Sequence, residues 1–486
     1  MIAFRKILFY CLTAFYIVCC PILILYALGY IFAPHGDENL VKTGMIHLES
    51  LPAKATVTLD KKNLGDKTPV TLSDLVPGEY QVDVSLPHYR PWIQKVVVEA
   101  GRASIFDQIL LVPKDLSAKV ISGESCRDLL PVLNTRYLIA FRDEKLSGAE
   151  VYDWKDQIFH PLLPEGSPYG DAVVGKIHTV RGSPMILVQA IRKQEKIYLW
   201  FDLGKKKIEA RNLTQLLSKE EADDFDWDPK DRDYFFSVAN NSLNVINARE
   251  MTVHPAMLDG VSGAGFWEHY VYAFKSNSVV RFNPARKKYD GETLETDDFI
   301  ASLFKSGKYY QVRMLADDLA LFLGDEGELM ANRLPYRFVE KGVLGYDAVV
   351  KSQRIVFWTK EKLGVIDFSR SKTRDKFFEI GPRIDWIFRK GKSIKQAFWV
   401  NEGSHVIFSD RDQIYLINAG INTANQADKL VPVQENSSFF YSDDSGKLFY
   451  LDADAGGVMM SQLLPEENFL NISLPVRTEE QVKSPK

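Results

Sequence analysis

From Val151 onward one pattern recurs eight times: an apolar, strand-like run that closes on Asp or Asn. It stands at Val151-Tyr152-Asp153, Leu199-Trp200-Phe201-Asp202, Val245-Ile246-Asn247 and Val280-Arg281-Phe282-Asn283. It returns at Leu329-Met330-Ala331-Asn332, Val365-Ile366-Asp367, Leu416-Ile417-Asn418 and Phe449-Tyr450-Leu451-Asp452. The mean spacing is roughly 43 residues, which is the length of a four-stranded blade in a β-propeller. Single units of this size cannot bury their own apolar faces, so they must stack on neighbours. Asp and Asn suit the closing position because their short side chains cap the next turn and tolerate left-handed backbone. Seven or eight blades over residues 115–465 are expected, with an array of β-sandwiches as the rival. The spacing varies between roughly 35 and 51 residues, as loops of different length between blades would make it.

Composition narrows the functional classes. At 486 residues the chain is too long for one core. The 12% aromatic content favours strands, whose half-buried surface takes flat rings well. Sixty basic against 64 acidic side chains leave a net charge of -4, without the basic face that nucleic acid requires. Cys11, Cys19 and Cys20 lie in an apolar N-terminal stretch, so Cys126 has no partner for an intramolecular disulfide outside it. Cys126 is expected to be a small core side chain.

That N-terminal stretch carries no charge from Ile7 to Ala33, after Arg5 and Lys6. As a helix it would run about 40 Å, more than the roughly 30 Å hydrocarbon core of a bilayer. Two cations precede it, and His35-Gly36-Asp37-Glu38 follow. The charge asymmetry predicts residues 1–6 in the cytoplasm, an anchor over 7–33, and everything beyond on the extracytoplasmic side. A cleaved signal peptide, with Ala27-Leu28-Gly29 as its cleavage site, is the rival; its apolar core would be unusually long. A lipid-attachment site at Cys19 fits less well, because Val18 before it is bulky. All three readings export the remainder.

Residues 34–43 read as a polar linker. From Gly44 to Lys114 the alternation is of period two, broken by turn residues. Met45-Ile46-His47-Leu48, Thr56-Val57-Thr58-Leu59, Tyr80 to Val84 and Gln94 to Val98 read as strands. Asp60-Lys61-Lys62-Asn63, Pro77-Gly78-Glu79 and Pro87-His88 read as connections. Short strands without a helical pattern predict a small β-sandwich. Ser50-Leu51-Pro52-Ala53-Lys54-Ala55, followed by Asp60, Gly65, Thr68-Pro69, Leu75, Pro77-Gly78, Tyr80 and Tyr89, resembles the PEGA domain family. Lys54 replaces the glycine of its namesake motif, and His88 replaces the glycine before Tyr89. Both departures suggest turns that need no positive φ. The segment from Leu25 to Tyr30, with Val41-Lys42-Thr43-Gly44 after it, is similar to membrane-anchored PEGA proteins. The resemblance implies a non-catalytic, extracytoplasmic module of cell-envelope proteins.

Two blade openings are sharper than the rest. Phe225-Asp226-Trp227-Asp228-Pro229-Lys230-Asp231 leading into Tyr234-Phe235-Phe236-Ser237 resembles the Trp-Ser-Pro-Asp-Gly opening of TolB-like propellers. Phe398-Trp399-Val400-Asn401-Glu402-Gly403 leading into Val406-Ile407-Phe408-Ser409 is similar. From Pro465 the alternation fades, and 466–486 reads as a polar tail.

Motifs that would carry chemistry are incomplete. Gly260-Val261-Ser262-Gly263-Ala264 misplaces a glycine of the nucleophile elbow. Gly391-Lys392-Ser393 resembles a phosphate loop, but Trp386 stands where its first glycine belongs. The eight histidines show no metal spacing; His88 and His405 read as solvated or core side chains. Glu220, Glu221, Asp223, Asp224, Asp226, Asp228, Asp231 and Asp233 form an acidic run. Asp224, Asp226 and Asp228 alternate as in a calcium loop, but Pro229 and Phe235 stand where its glycine and bidentate glutamate belong. Most of the run therefore reads as an inter-blade loop and a blade opening, solvated rather than ligating, with an adventitious cation site as the rival. Trp154, Trp200, Trp267, Trp358, Trp386 and Trp399 are expected to wedge between blades rather than to line a sugar-binding face. Lys205-Lys206-Lys207 and Arg286-Lys287-Lys288 read as charged turns that protect sheet edges.

The expected protein is a single-pass, N-in envelope protein with no catalytic, cofactor-binding or metal-binding residues assigned and no nucleic-acid partner. Its N-terminal helix would bind the membrane. Its propeller would recognise another envelope protein or a cell-wall polysaccharide. The rival is a propeller glycosidase or lyase acting on envelope polysaccharide, with carboxylates drawn from separate blades.

Overall fold

The computed structural model describes residues 2–32, 40–217, 222–275, 278–283, 292–294, 304, 308–332, 338–369, 384–420 and 427–465. Two compact units are present: one built mainly on the residues before Ala118, the other on Ala118–Asp443 and Lys447–Ser461. The expected tail 466–486 and Arg286-Lys287-Lys288 lie outside the described residues.

The apolar N-terminal stretch forms helix α1 (Ile2–Ala27), with Pro21 inside it. Its side chains from Phe9 to Leu28, where described, are largely exposed apolar groups such as Phe15, Ile17 and Leu23. Among the described residues no helix is long and apolar enough to cross a membrane; the side chains of residues 2–8 and 11 are outside the description. The helix ends earlier than the uncharged run. Leu28 N donates to Ile24 O and Gly29 N to Tyr26 O, and Gly29 takes φ +81°, a conformation that glycine enters without Cβ strain. Beyond it β1 (Tyr30–Phe32) pairs antiparallel with β2 (Leu40–Lys42). Part of the expected anchor and part of the expected linker are therefore a short hairpin.

The small domain holds seven strands: β3 (Gly44–Leu51), β4 (Thr56–Leu59), β5 (Lys62–Lys67), β6 (Val70–Leu75), β7 (Gly78–Ser85), β8 (Trp92–Val98) and β9 (Ala103–Leu110). They form a three-stranded sheet in the order β6-β3-β9 and a four-stranded sheet in the order β5-β4-β7-β8. Alternation along β3 buries Ile46 and Leu48, which pack against Val57, Val82, Val84 and Val96 of the other sheet. Sequence alternation missed β5, β6 and β9, whose residues are mostly exposed or half-buried. The β4–β5 connection is tighter than expected: Leu59 pairs with Lys62, so only Asp60 and Lys61 turn, both with positive φ. The expectation for the two glycine replacements is overturned. Lys54 has φ 65° and His88 φ 69°, so both turns keep the left-handed conformation although their residues carry a Cβ.

The second unit contains eight four-stranded antiparallel sheets among the described residues. Seven are built from consecutive strands and span 128–161, 173–212, 222–259, 261–294, 310–340, 345–388 and 394–432, here blades 1 to 7. Blade 8 joins three strands between 440 and 462 to β10 (Ala118–Ser122), with Ala118 opposite Ser461. Hydrophobic clusters tie each blade to the next. Val132 and Val151 of blade 1 pack with Ile186 and Leu199 of blade 2, and Tyr198 and Trp200 of blade 2 pack with Phe225 and Phe235 of blade 3. Leu129 and Tyr152 of blade 1 share a cluster with Phe440, Phe449 and Val458 of blade 8. Blades 7 and 8 meet through the edge-to-face pair Phe398 and Phe439, 5.3 Å apart. The sheets thus close into a ring, a β-propeller.

Six of the closings, at Asp153, Asp202, Asn247, Asp367, Asn418 and Asp452, cap the next turn as their chemistry suggested, whereas Asn332 Oδ1 accepts from Ala320 N. Asp153 Oδ1 accepts from Lys155 N and Asp156 N, Asn247 Oδ1 from Arg249 N and Glu250 N, and Asn418 Oδ1 from Gly420 N. Seven closings end, or directly follow, the third strand of a blade; the eighth, at Asp452, follows the second strand of blade 8.

Candidate functional site

The first strands of the blades lie innermost in the ring, and four of them bring charged side chains together. In blade 3, alternation along Ala222–Asp226 sets Phe225 opposite Asp224 and Asp226. Phe225 is buried against Tyr198 and Phe235 in the seam with blade 2. Asp226 Oδ1 accepts from Trp227 N at 2.9 Å, and Asp224 stands 3.7 Å from Nδ1 of the buried His178 in blade 2. Arg313 comes from the first strand of blade 5, and Tyr346 and Asp347 from that of blade 6.

An ion pair between Arg181, just after the first strand of blade 2, and Asp347 ties the cluster across the ring. Blades 2 and 6 are four apart among eight, so this pair joins opposite sides of the interior. The fold also uses Asp347: its Oδ1 accepts from Ala348 N at 2.9 Å and its Oδ2 from Trp399 N of blade 7 at 3.1 Å.

The electrostatics follow from enclosure. Asp226, Arg313 and Tyr346 keep some accessible surface, yet protein surrounds them so densely that burial governs their titration. Burial, with Asp224 beside it, pushes the Asp226 carboxyl up to about 8, against the backbone N–H groups and Arg313 that favour its charge. Burial, together with the Arg181 charge, pulls the Arg313 guanidinium below its usual range. Burial raises the Tyr346 hydroxyl to about 12. At neutral pH the cluster therefore offers a protonated carboxyl, two guanidinium groups and a phenol as donors, with Asp224 and Asp347 as acceptors. His178 Nε2 and Arg181 Nε are buried and unpartnered among the described residues.

The blade opening stands where the acidic run placed it, but its solvated character is overturned. Asp224 and Asp226 belong to an inner strand. Asp228 is buried and bonded to His269 Nδ1 at 2.5 Å and to Lys230 N at 2.9 Å. Asp231 Oδ1 caps the turn at Asp233 N. Glu220 and Glu221 lie outside the described residues. No group of three or more His, Cys, Asp or Glu side chains placed to hold a metal occurs among the described residues.

The remaining candidates are absorbed by the fold. Lys392 N and Ser393 N of the phosphate-loop-like turn both donate to Asp410, at 3.0 and 2.6 Å, so a carboxylate of the chain itself fills that nest. Ser262 lies within the inner strand of blade 4. His88 is exposed in its turn. His405 is buried with Nδ1 2.8 Å from Ser404 Oγ, and burial lowers its pKa to about 3. Cys126 is buried, which raises its thiol. Trp200 stacks on Phe235 at 5.0 Å, Trp358 Nε1 donates to Lys395 O of the next blade, and Trp399 Nε1 to Asp347 O. These rings wedge between blades as expected. Trp386 instead packs within its own blade, 5.5 Å from Phe357. Trp227 of the sharper blade opening is fully buried and donates from Nε1 to Ser183 Oγ of blade 2 at 2.8 Å.

Arg313 and Tyr346 escaped sequence analysis because neither stands in a motif. A signal was present only for Arg313, a lone charge between Val312 and Met314 in an apolar strand.

Comparison with known proteins identifies a PEGA domain over residues 43–110. No curated protein matches the chain. Among solved structures, Sqt1 of Saccharomyces cerevisiae is 12% identical with a TM-score of 0.43, covering 72% of this chain and 99% of that one. Hsv2 of Kluyveromyces lactis is 8% identical with a TM-score of 0.39, covering 66% and 99%. The β-propeller domain of Cps50 (Swd1) of Myceliophteria thermophila is 10% identical with a TM-score of 0.37, covering 72% and 100%.

Proposed function

We propose that this chain is a membrane-anchored, extracytoplasmic binding or scaffold protein of the bacterial cell envelope. In this reading α1 anchors it with the N-terminus in the cytoplasm, and the propeller recognises an envelope protein or wall polymer. The observation that carries the recognition step is the inner cluster of Arg181, Arg313, Asp224, Asp226 and Tyr346, drawn from four blades. It mixes donors and acceptors in an enclosed setting, which suits recognition of a polar group. The exposed apolar side chains of α1 and the Arg5 and Lys6 cations ahead of them support the anchor. The PEGA domain supports an envelope setting.

Crosslinking in native membranes, read by mass spectrometry, tests the recognition step. The expected result is a partner recovered with the parent chain and lost from Arg313→Gln. A partner recovered equally from both removes the cluster from the argument. The anchor is tested separately: deleting 2–27 is expected to move the chain from the membrane fraction to the soluble one. Protease added from outside is expected to digest the propeller. Protection of the propeller in intact cells sinks the extracytoplasmic placement.

Asp226 favours a second reading. A carboxyl held protonated at neutral pH beside a second carboxylate is the arrangement by which glycosidases divide acid and base roles. In that reading Asp226 donates a proton to a leaving oxygen, and Asp224 serves as base or nucleophile. Release of reducing ends from envelope polysaccharide, abolished in Asp226→Asn, would favour it; no release by the parent chain excludes it for the substrates tried.

A further inference from the structure

The end of α1 is bonded into the small domain. Gly29 O accepts from Thr43 N at 2.7 Å and from Thr43 Oγ1 at 2.9 Å. Thr43 O accepts in turn from Gly101 N at 2.8 Å, and Met45 N donates to Arg102 O at 3.0 Å. This relay links the last turn of the helix, through buried Thr43, to the start of β3 and to the turn between β8 and β9.

With α1 as the anchor, the relay has a definite height. The uncharged helix from Ile7 to Ala27 rises about 31 Å, close to the roughly 30 Å hydrocarbon core of a bilayer. Gly29, Thr43 and Gly101 then fall in the headgroup layer, and side chains exposed beside them face lipid.

Large apolar side chains are exposed there. Where β8 and β9 meet, Ser104 Oγ donates to Val97 O at 3.1 Å, and Val97 is 57% exposed. Ile105 of β9 is 62% exposed, and Met45 on the neighbouring β3 is 42% exposed. Two cations border them: Lys42, packed over the turn at Gly101, and Arg102, paired with Glu99. β3 and β9 run parallel, away from the relay, and farther along their outer face stand the exposed Glu49 and Asp107. The face thus turns from apolar to acidic with distance from the helix. An anionic bilayer surface takes up apolar groups and cations and repels carboxylates, so the gradient fits lipid at the near end alone.

We infer that this corner of the small domain, formed by Met45, Val97 and Ile105 with Lys42 beside them, rests in the headgroup layer of the membrane. The inference rests on the anchor proposed above and adds to it a peripheral contact made by strands.

Photocrosslinking of the full chain in nanodiscs containing anionic lipid tests it. One sample carries a diazirine on the lipid headgroup, the other at the end of the acyl chain, and adducts are located by mass spectrometry. Headgroup adducts are expected on Met45, Val97 and Ile105 at several times the yield on Ile93. Ile93 is 58% exposed, much like Val97, but lies about 13 Å farther along β8. Acyl-chain adducts are expected on α1. In the variant Met45→Glu/Ile105→Glu the headgroup yield on Val97 is expected to fall about fivefold or more, with the α1 adducts retained. If that variant does not fold, the ratio of Val97 to Ile93 on the parent chain decides alone. Adducts on α1 with equal yields on Val97 and Ile93 overturn the inference and leave the anchor standing. Links between two copies through Met45 or Ile105, in place of lipid adducts, overturn it in favour of self-association. No adduct on α1 with either probe overturns the anchor and the inference together.

Discussion

Lys54 and His88 occupy turns with φ of 65° and 69°, where a side chain strains the backbone and glycine does not. Lys54→Gly and His88→Gly are each expected to stabilise the small domain by about 0.5–1 kcal/mol, net of the greater freedom of glycine in the unfolded chain. Lys54→Ala should give no gain; thermal unfolding makes the comparison. Asp226 gives a pH signature of definite sign. Its folded pKa of about 8 lies above the unfolded carboxylate range, so the folded state holds a proton that the unfolded state loses near pH 4. Its contribution falls as pH rises from about 4 to about 8. Asp226→Asn should flatten that slope and raise stability at pH 9 by a few kcal/mol, read from urea unfolding across pH. His405 has the opposite effect: its folded pKa of about 3 means stability is lost as pH falls below about 6.5. His405→Gln should remove that acid-side slope.

Among the elements, the inner strands of blades 4 and 5 approach unusually closely. A Cβ on Gly263 would stand 2.5 Å from Val312 Cγ2 and 2.8 Å from Tyr310 O, and one on Gly265 would stand 3.0 Å from Val312 O. These glycines let the strand bearing Arg313 lie against blade 4. Gly263→Ala is expected to destabilise the propeller by about 1–3 kcal/mol, measured by urea unfolding. This is also the scale at which the sequence was most and least legible. Third strands such as Leu199-Trp200-Phe201-Asp202 were plain, because they run through the middle of each blade and are buried on both faces. The helix and the sandwich core were visible through the charge-free run and through the alternation of β3 and β7. The inner cluster was not, because its members lie in separate strands and meet only when the ring closes. Asp224 and Asp226 were misread for the same reason: an acidic run looks solvated until the opposing cations are known.

Across the whole molecule, closure depends on β10 completing blade 8. Replacing Ala118–Ser122 by glycine and serine of equal length should expose the strand Val458–Gln462 as an open edge. A fall of at least several degrees in thermal midpoint and a rise in light scattering are expected; an unchanged midpoint would mean that the seams alone hold the ring. The pairing has a mechanical side as well. Ala118 faces Ser461, so the chain enters and leaves the ring at the same end of one antiparallel pair. Tension between those two points would load the hydrogen bonds singly, in peeling rather than in shear. A propeller held by its leading end alone bears no such load; if its trailing end were also gripped, β10 would be the first strand to part.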